Sequence, residues 1–261
     1  LAMSQRGAQN PKYIRNPDKK EYSEIIEKFG TVIARWSAAP ELEGAMEFGR
    51  YLRAHGVLPA MAHTDAVYDD VINAFENGYT LATHFYSAMS GVTRRNAFRY
   101  AGVIESVYLM DEIDVEIIAD GVHLPAPLLK LIYKVKGVDR IALITDAMRA
   151  AGTEPGESIL GSKVNGLKVI VEDGVAKLPD RSSFAGSVAT ADRLVRTMIR
   201  IAGVPLVETI RMMTLNPARM MKADRHKGSI AIGKDADVVL FDDDITIQSS
   251  IVGGEILYNK L

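Results

Sequence analysis

Short apolar runs alternate with amphipathic segments along the first 145 residues of the chain. The runs are rich in β-branched side chains and lack a clean alternation of apolar and polar residues, which is typical of strands buried on both faces. They lie at residues 31–36, 57–62, 79–83, 115–119 and 141–145. Residues 41–55 and 66–77, between these runs, have apolar side chains at helical spacing. Strands that alternate with helices predict parallel βα units.

Five strands are fewer than the eight that close a barrel of parallel strands. Either the sheet is open, or the first three strands precede Leu1. The second interpretation agrees with the start of the chain, which lacks an initiator methionine and has a loop-like Gly-Ala-Gln-Asn-Pro sequence at residues 7–11. We therefore expect an α/β fold, a partial (β/α)8 TIM-type barrel whose first strands are missing.

The C-terminal part of the chain changes its pattern twice. Residues 158–179 predict a hairpin-like insert, and residues 190–202 and 206–213 predict helices. Asn216, which a proline follows, is typical of a helix N-cap. From Lys227 onward the pattern becomes β-like again, which predicts a small β module at the C-terminus.

The composition excludes several classes of function. The 31 basic and 33 acidic residues leave a net charge of −2, so nothing in the charge favours binding to nucleic acid or to an anionic membrane. The chain has no cysteine, which excludes disulfides and thiolate metal ligands. No apolar run approaches the roughly 20 residues of a membrane span. These features are compatible with a cytoplasmic enzyme.

Polar side chains follow the predicted strands. His63, His84 and Asp146 each come directly after one of the apolar runs, and His123 lies shortly after another. Barrels place their chemistry at the carboxyl ends of the strands, so these side chains should converge. Two neutral imidazoles on neighbouring strands can bind one divalent ion. The alternative for each histidine is a core residue satisfied by hydrogen bonds.

The other candidates have open alternatives too. Asp146 can take a proton from water and pass it to a leaving amine, or it can cap the next helix. His123 can donate a hydrogen bond to a carbonyl oxygen, serve as a third ligand, or be a turn residue. Arg94 and Arg95 can bind phosphate or form a solvated surface. Residues 185–187 (Ala-Gly-Ser) precede a predicted helix and can hold an anion there, although such helix entries are common.

The order of these motifs resembles that of the N-acetylglucosamine-6-phosphate deacetylases of the amidohydrolase superfamily. The resemblance extends through nearly the whole chain. Its most specific parts are residues 83–89 (Thr-His-Phe-Tyr-Ser-Ala-Met) and 118–123 (Ile-Ala-Asp-Gly-Val-His). Further matching segments are residues 7–11, 38–41, 62–66, 145–147, 184–187, 216–219 and 233–237.

The resemblance implies a role for each candidate. His63 and His84 would bind one divalent ion, zinc or iron, with a second ion left open. Asp146 would be the general base and later the acid, and His123 would polarise the acetamide carbonyl. Arg95 would bind the 6-phosphate at a site that a homodimer completes. The residues implied to hold the sugar are Ala8, Gln9, Ser87, Ala88, Asp120, His123, Phe184, Ala185 and Gly186.

The implied reaction is hydrolysis of the N-acetyl group of N-acetylglucosamine 6-phosphate to glucosamine 6-phosphate and acetate. The alternatives are another amidohydrolase, similar to dihydroorotase or adenine deaminase, and a non-catalytic homologue that binds amino-sugar phosphates. Ser87 replaces the usual Asn, and Gln9 stands where many members have His. Both residues would touch the substrate, so a shifted preference among acetylated amino-sugar phosphates is expected.

The resemblance also implies how the chain is organised. Residues 1–222 would form the partial TIM barrel, and residues 223–261 would form the C-terminal part of a small β-sandwich domain. The family's metal-binding Glu would lie before Leu1, so we expect an N-terminally truncated chain. Alone, such a chain would bind metal weakly.

Overall fold

The computed structural model describes residues 1–261. The strands are β1 (Arg35–Ala38), β2 (Leu58–Met61), β3 (Leu81–Ala82), β4 (Thr93–Arg95), β5 (Phe98–Tyr100), β6 (Asp114–Ile117), β7 (Ile141–Leu143), β8 (Gly156–Leu160), β9 (Leu167–Glu172), β10 (Val175–Lys177), β11 (Val238–Phe241), β12 (Ile247–Val252) and β13 (Glu255–Asn259). The helices are α1 (Lys19–Phe29), α2 (Ala45–Ala54), α3 (Tyr68–Glu76), α4 (Val103–Leu109), α5 (Ala126–Lys136), α6 (Ala191–Thr197), α7 (Leu206–Met213) and α8 (Leu215–Met220).

Strands β1, β2, β3, β6 and β7 form one parallel sheet in this order. Each predicted apolar run overlaps one of these strands, which confirms the prediction of parallel βα units. The first run is displaced along the chain, because Gly30–Val32 forms a 3₁₀ turn and β1 begins only at Arg35. Helices α2 and α3 end just before Gly56 and Gly78, whose positive φ angles let the chain turn back into the next strand.

The core lies between the sheet and its helices. Met61, Val115 and Ile117 from the strands belong to one large buried cluster with Leu52 of α2 and Leu129 of α5. The other face of the sheet holds a separate small apolar cluster at its amino end. None of the helices is long and apolar enough to span a lipid bilayer. Arg35 and Ser37 of β1 and Glu116 of β6 alternate with residues that pack in the large cluster, so these polar side chains lie on the opposite face of the sheet.

Two antiparallel sheets follow the parallel one along the chain. Strands β8, β9 and β10 form a three-stranded sheet, which confirms the predicted insert at residues 158–179. Strands β11, β12 and β13 form a second one, which confirms the β pattern after Lys227. A short hairpin, β4–β5, leaves the parallel sheet after β3.

The prediction that Asn216 caps a helix is wrong. Thr214 is at the N-cap of α8, and Asn216 lies inside that helix. The side-chain amide of Asn216 is buried and donates to the carbonyl oxygens of Val138 and Ile141, at 2.6 and 2.7 Å. Asn216 therefore ties α8 to the start of β7 rather than starting a helix.

Candidate active site

A cavity of about 830 Å³ opens at the carboxyl end of the parallel sheet. This is the size of a pocket for a small ligand. His63, His84, His123 and Asp146 all line it, so the side chains that follow four of the five strands converge as expected. A rigid parallel sheet brings the ends of its strands to one edge, which explains the convergence.

The imidazoles of His63 and His84 face each other in the cavity. Their Nε2 atoms are 3.2 Å apart, and their rings are nearly perpendicular. Two nitrogens bound to one tetrahedral zinc at 2.0–2.1 Å would be separated by about 3.3 Å. His63 Nδ1 lies 2.8 Å from the carbonyl oxygen of Gln5, to which it donates, so His63 Nε2 keeps its lone pair. These two side chains therefore fit a shared divalent ion.

The surroundings of both histidines favour the neutral form that a metal requires. Burial, helped by the neighbouring His84, lowers the pKa of His63. Burial also lowers the pKa of His84. Neutral imidazole is the ligand form, so both side chains are ready to bind without losing a proton. However, no group of three or more His, Cys, Asp or Glu side chains in the chain is placed to hold a metal ion, so the ligand set is incomplete within these residues.

The carboxylate of Asp146 opens into the cavity without a hydrogen-bond partner. The protein around Asp146 desolvates its carboxyl and raises the pKa, although His123, His63 and Arg35 oppose this. No helix follows Asp146, because the next one, α6, begins at Ala191. The interpretation of Asp146 as a helix cap is therefore wrong. A carboxylate with a raised pKa beside two metal-type ligands is suited to proton transfer.

Asp120 fixes the orientation of His123. The Nδ1–H of His123 donates to Asp120 Oδ2 at 2.7 Å, and the backbone N–H groups of Val122 and His123 donate to Oδ1. The Nε2 atom of His123 is therefore free to meet a ligand, as a donor when the ring is protonated. Whether His123 polarises a carbonyl or serves as a third ligand stays a prediction.

Three side chains of the site stand on strained backbone. His63, His84 and Asp146 have φ angles of 47°, 36° and 46°, in the left-handed region that non-glycine residues avoid. Each residue comes shortly after its strand, where the chain turns sharply toward the cavity. Strain of this kind costs about 1–3 kcal/mol per residue and concentrates at functional sites.

Most of the predicted sugar-binding residues line the cavity. They are Ala8, Gln9, Ser87, Ala88, His123, Phe184 and Gly186. Asp120 and Ala185 are buried behind this lining. Arg95 does not reach the cavity of its own chain: it is exposed on the β4–β5 hairpin, with its guanidinium 5.4 Å from the ring of Tyr100. Its predicted role in phosphate binding stays a prediction.

Sequence reasoning did not single out Arg6. It is the only lysine or arginine among the residues that line the cavity. Its guanidinium makes only one long hydrogen bond, of 3.5 Å, to the carbonyl oxygen of Met3. The signal that could have found it is its place in the sequence, directly before the loop at residues 7–11.

Comparison with known proteins identifies the family of the chain. Residues 35–257 match the profile described as the Amidohydrolase family. The chain is 34% identical over 260 residues to the N-acetylglucosamine-6-phosphate deacetylase of Lysinibacillus sphaericus, with 98% of this chain and 64% of that protein covered. It is 32% identical over 252 residues to the N-acetylgalactosamine-6-phosphate deacetylase of Escherichia coli O157:H7, with 96% and 64% covered. The chain thus spans less than two thirds of the length of these curated relatives.

Solved structures agree with this result. A mutant N-acetyl-D-glucosamine-6-phosphate deacetylase from Mycobacterium smegmatis, in complex with N-acetyl-D-glucosamine-6-phosphate, superposes with a TM-score of 0.90 at 31% identity, over 98% of this chain and 66% of that one. The N-acetylglucosamine-6-phosphate deacetylase from Thermotoga maritima superposes with a TM-score of 0.88 at 30% identity, over 99% and 67%. The parallel sheet is therefore part of a TIM-barrel-type fold.

Proposed function

This chain belongs to the amidohydrolase family, and from that premise we propose that it forms most of the active site of a metal-dependent N-acetylglucosamine-6-phosphate deacetylase. The observation that carries the proposal is the meeting of His63, His84 and Asp146 in one cavity. The relatives reported above are deacetylases of phosphorylated amino sugars, which favours this activity over a dihydroorotase-like or adenine-deaminase-like one. Because the chain spans about 64% of the first of them, the activity is assigned to the whole protein.

His63 and His84 would hold the divalent ion, zinc or iron, through their Nε2 atoms. When bound, such an ion activates water and polarises a carbonyl oxygen. Asp146 has no other partner and would accept a proton from the attacking water at its free carboxylate. As the carbon–nitrogen bond of the acetamide breaks, Asp146 would return that proton to the amine nitrogen. The products are acetate and glucosamine 6-phosphate.

His123 would orient the acetamide. The hydrogen bond between its Nδ1–H and Asp120 favours the ring orientation that leaves Nε2 free for a ligand. A protonated Nε2 would donate to the carbonyl oxygen of the substrate and to the negative charge that develops there. The carboxylate of Asp120 would stabilise that protonated ring, which is the role of the buried acid in other carboxylate–histidine pairs.

The loops around the cavity would bind the sugar. Gln9, Ser87 and Phe184 come from three separate loops that line it, and Ala88 and Gly186 also line it. We assign the 6-phosphate to Arg6 of the same chain and to Arg95 supplied by the second copy in a homodimer. A cytoplasmic location and a small β-sandwich domain that contains β11 to β13 complete the proposal.

A second substrate is the C4 epimer, N-acetylgalactosamine 6-phosphate. One relative at 32% identity is a deacetylase named for that sugar. Ser87 and Gln9, the two departures from the family pattern, both line the cavity. A shorter Ser87 leaves more room and a different hydrogen-bonding group beside the sugar, which is the kind of change that alters the choice between epimers.

The test is a substrate panel on the protein expressed from its complete gene and loaded with Zn²⁺ or Fe²⁺. Acetate release would be measured with the two epimeric 6-phosphates and with unphosphorylated N-acetylglucosamine. Ammonia release from adenine and ring opening of dihydroorotate would be followed in parallel. We expect acetate from at least one sugar phosphate, and none after a chelator has removed the metal. Turnover of adenine or dihydroorotate alone would reject the proposal.

A further inference from the structure

A polar cluster lies on the face of the parallel sheet opposite the large apolar core, with Glu116 buried and the side chain of Arg35 28% exposed. Arg35 and Ser37 of β1, Thr83 directly after β3, and Glu116 of β6 form it. Arg35 donates through Nη1 to Glu116 Oε1 and through Nη2 to Thr83 Oγ1, the latter at 2.8 Å. Ser37 Oγ lies 3.1 Å from the same hydroxyl. One guanidinium therefore joins three strands of the sheet.

The burial of Glu116 in this cluster costs free energy. The side chain of Glu116 is only 6% exposed, and its Oε2 atom has no hydrogen-bond partner. Burial raises the pKa of Glu116, although Arg35 opposes this. A buried ion pair of this kind is often no more stable than an apolar pair of the same size. The unpartnered oxygen adds a further cost. An ion pair that adds little stability leaves room for a positional role, and the contacts of this cluster point to one.

The cluster grips the chain on both sides of His84. Thr83, on one side, accepts the hydrogen bond from Arg35. On the other side, the backbone N–H of Phe85 donates to the carbonyl oxygen of Glu116 at 2.6 Å. Between these two anchors, His84 has a φ angle of 36°, which an unrestrained residue would leave. The bond from Phe85 uses the main-chain oxygen of Glu116 and does not depend on its side chain, so the side-chain link to the segment of His84 runs from Glu116 through Arg35 to Thr83.

We propose that Arg35 and Glu116 are positioning residues for the metal ligand His84. This rests on the proposed function only in treating His84 as a ligand. The planar fork of arginine is needed, because one nitrogen must reach the carboxylate while the other reaches Thr83. Groups that orient a ligand from behind commonly change metal affinity about 10- to 100-fold when they are removed.

The experiment compares two carboxylates of strand β6. Glu116→Gln removes the charge that anchors Arg35, whereas Asp114→Asn makes the same chemical change two residues earlier, at the amino end of the strand. Asp114 is also paired with arginines, Arg140 and Arg219, both at 3.3 Å. The dissociation constant for Zn²⁺ would be measured by competition with a coloured chelator, on the protein expressed from its complete gene. The absorption spectrum of the Co²⁺-loaded protein would report the ligand geometry.

We expect Glu116→Gln to weaken Zn²⁺ binding at least tenfold and to change the Co²⁺ spectrum, while Asp114→Asn leaves both as in the wild type. Thr83→Val, which removes only the hydroxyl group that accepts from Arg35, should also weaken Zn²⁺ binding. Equal Zn²⁺ affinity in Glu116→Gln and the wild type would overturn the proposal.

If Glu116→Gln does not fold, the double variant Arg35→Met/Glu116→Leu replaces the ion pair with apolar side chains of similar size. A folded double variant that binds Zn²⁺ at least tenfold more weakly supports positioning, and one with wild-type affinity rejects it. Should the double variant also fail to fold, the affinity of Thr83→Val decides in the same way. These results are independent of the substrate panel, since a wild type that binds Zn²⁺ without releasing acetate would reject only the proposed activity.

Discussion

Both ends of the parallel sheet have polar side chains, but these differ in backbone conformation and in hydrogen-bond partners. At the carboxyl end, His63, His84 and Asp146 stand on left-handed backbone and turn polar atoms toward a cavity. At the amino end, Asp114 is held between two arginines, one of which is Arg140, and its backbone lies in a regular strand. Polar groups that lie on strained backbone and lack a partner within the protein are available to a ligand. Polar groups that stabilise the fold are paired with other groups of the protein.

The largest expected effect comes from a comparison of one carboxylate at each end of the sheet, Asp146 at the carboxyl end and Asp114 at the amino end. Asp146→Asn should reduce turnover by about 100- to 10,000-fold, because the amide cannot carry the proton. Metal content should stay near the wild-type value, since the two proposed ligands are His63 and His84, whose Nε2 atoms face each other. Steady-state kinetics and elemental analysis of the metal-loaded protein check both expectations. Asp114→Asn is the control and should keep its turnover; a wild-type rate in Asp146→Asn would remove this residue from the mechanism.

The next prediction concerns Arg6, the cationic side chain that lines the cavity. Arg6→Ala should raise KM for the phosphorylated sugar by about 10- to 100-fold, the usual cost of a lost hydrogen bond to a charged group. KM for the unphosphorylated sugar should not change. Arg95→Ala is the matched variant on the β4–β5 hairpin, and its effect should appear only if the hairpin of a second copy reaches the cavity. Identical KM values for Arg6→Ala and the wild type would show that the chain's own cation does not bind phosphate.

The third prediction concerns Asp120, which differs from the other polar residues at the carboxyl end because both of its carboxylate oxygens accept hydrogen bonds. Burial disfavours its charge, but hydrogen bonds from the ring of His123 and from two backbone N–H groups outweigh burial and hold the pKa of Asp120 below its usual value. A carboxyl with a lowered pKa stabilises the fold above its unfolded pKa and loses that contribution as pH falls through the folded pKa. Asp120→Asn should therefore lower the free energy of unfolding by about 1–3 kcal/mol at pH 7.

The difference between Asp120→Asn and the wild type should shrink below about pH 4, where the ordinary carboxyl titrates. Chemical denaturation at a series of pH values would measure it. A difference that stays constant from pH 7 to pH 3 would mean that the charge of Asp120 does not stabilise the fold.

The smallest expected effect concerns Lys222, a residue on strained backbone at the amino end of the sheet. Lys222 follows α8 with a φ angle of 57°, and it lies beside Leu58 and Thr80 near the starts of β2 and β3. This is the position after a helix where glycine is preferred. Lys222→Gly should stabilise the protein by about 0.5–1 kcal/mol, because glycine adopts this conformation without strain. Thermal unfolding would measure it, and a loss of stability would show that the strained lysine has a role.

The sequence predicted the positions of four strands of the sheet well and displaced the first one. Residues 57–62 and 141–145 overlap β2 and β7 well. The first run was placed too early, because Arg35 and Ser37 are polar residues inside the sheet and look like the end of a strand. The same polar interior hid the contact between Arg35 and Glu116, which pairs residues 81 positions apart.

As with the sheet, only part of the site could be predicted from the sequence. His63, His84, His123 and Asp146 could be found because each follows a strand, and strand ends meet by geometry. Arg6 could not be found in this way, because it lies in a loop whose path depends on tertiary contacts such as that between His63 and Gln5. Asn216 was misassigned because its two acceptors are distant in sequence, so a local pattern could not reveal them.

The acceptor that orients His63 is a main-chain oxygen, that of Gln5. No side-chain replacement at position 5 can delete it, whereas inserting or removing one residue in the N-terminal segment would shift it out of register. Evolution could therefore vary the side chains of this segment to suit different sugars without disturbing the imidazole, provided that the segment kept its length.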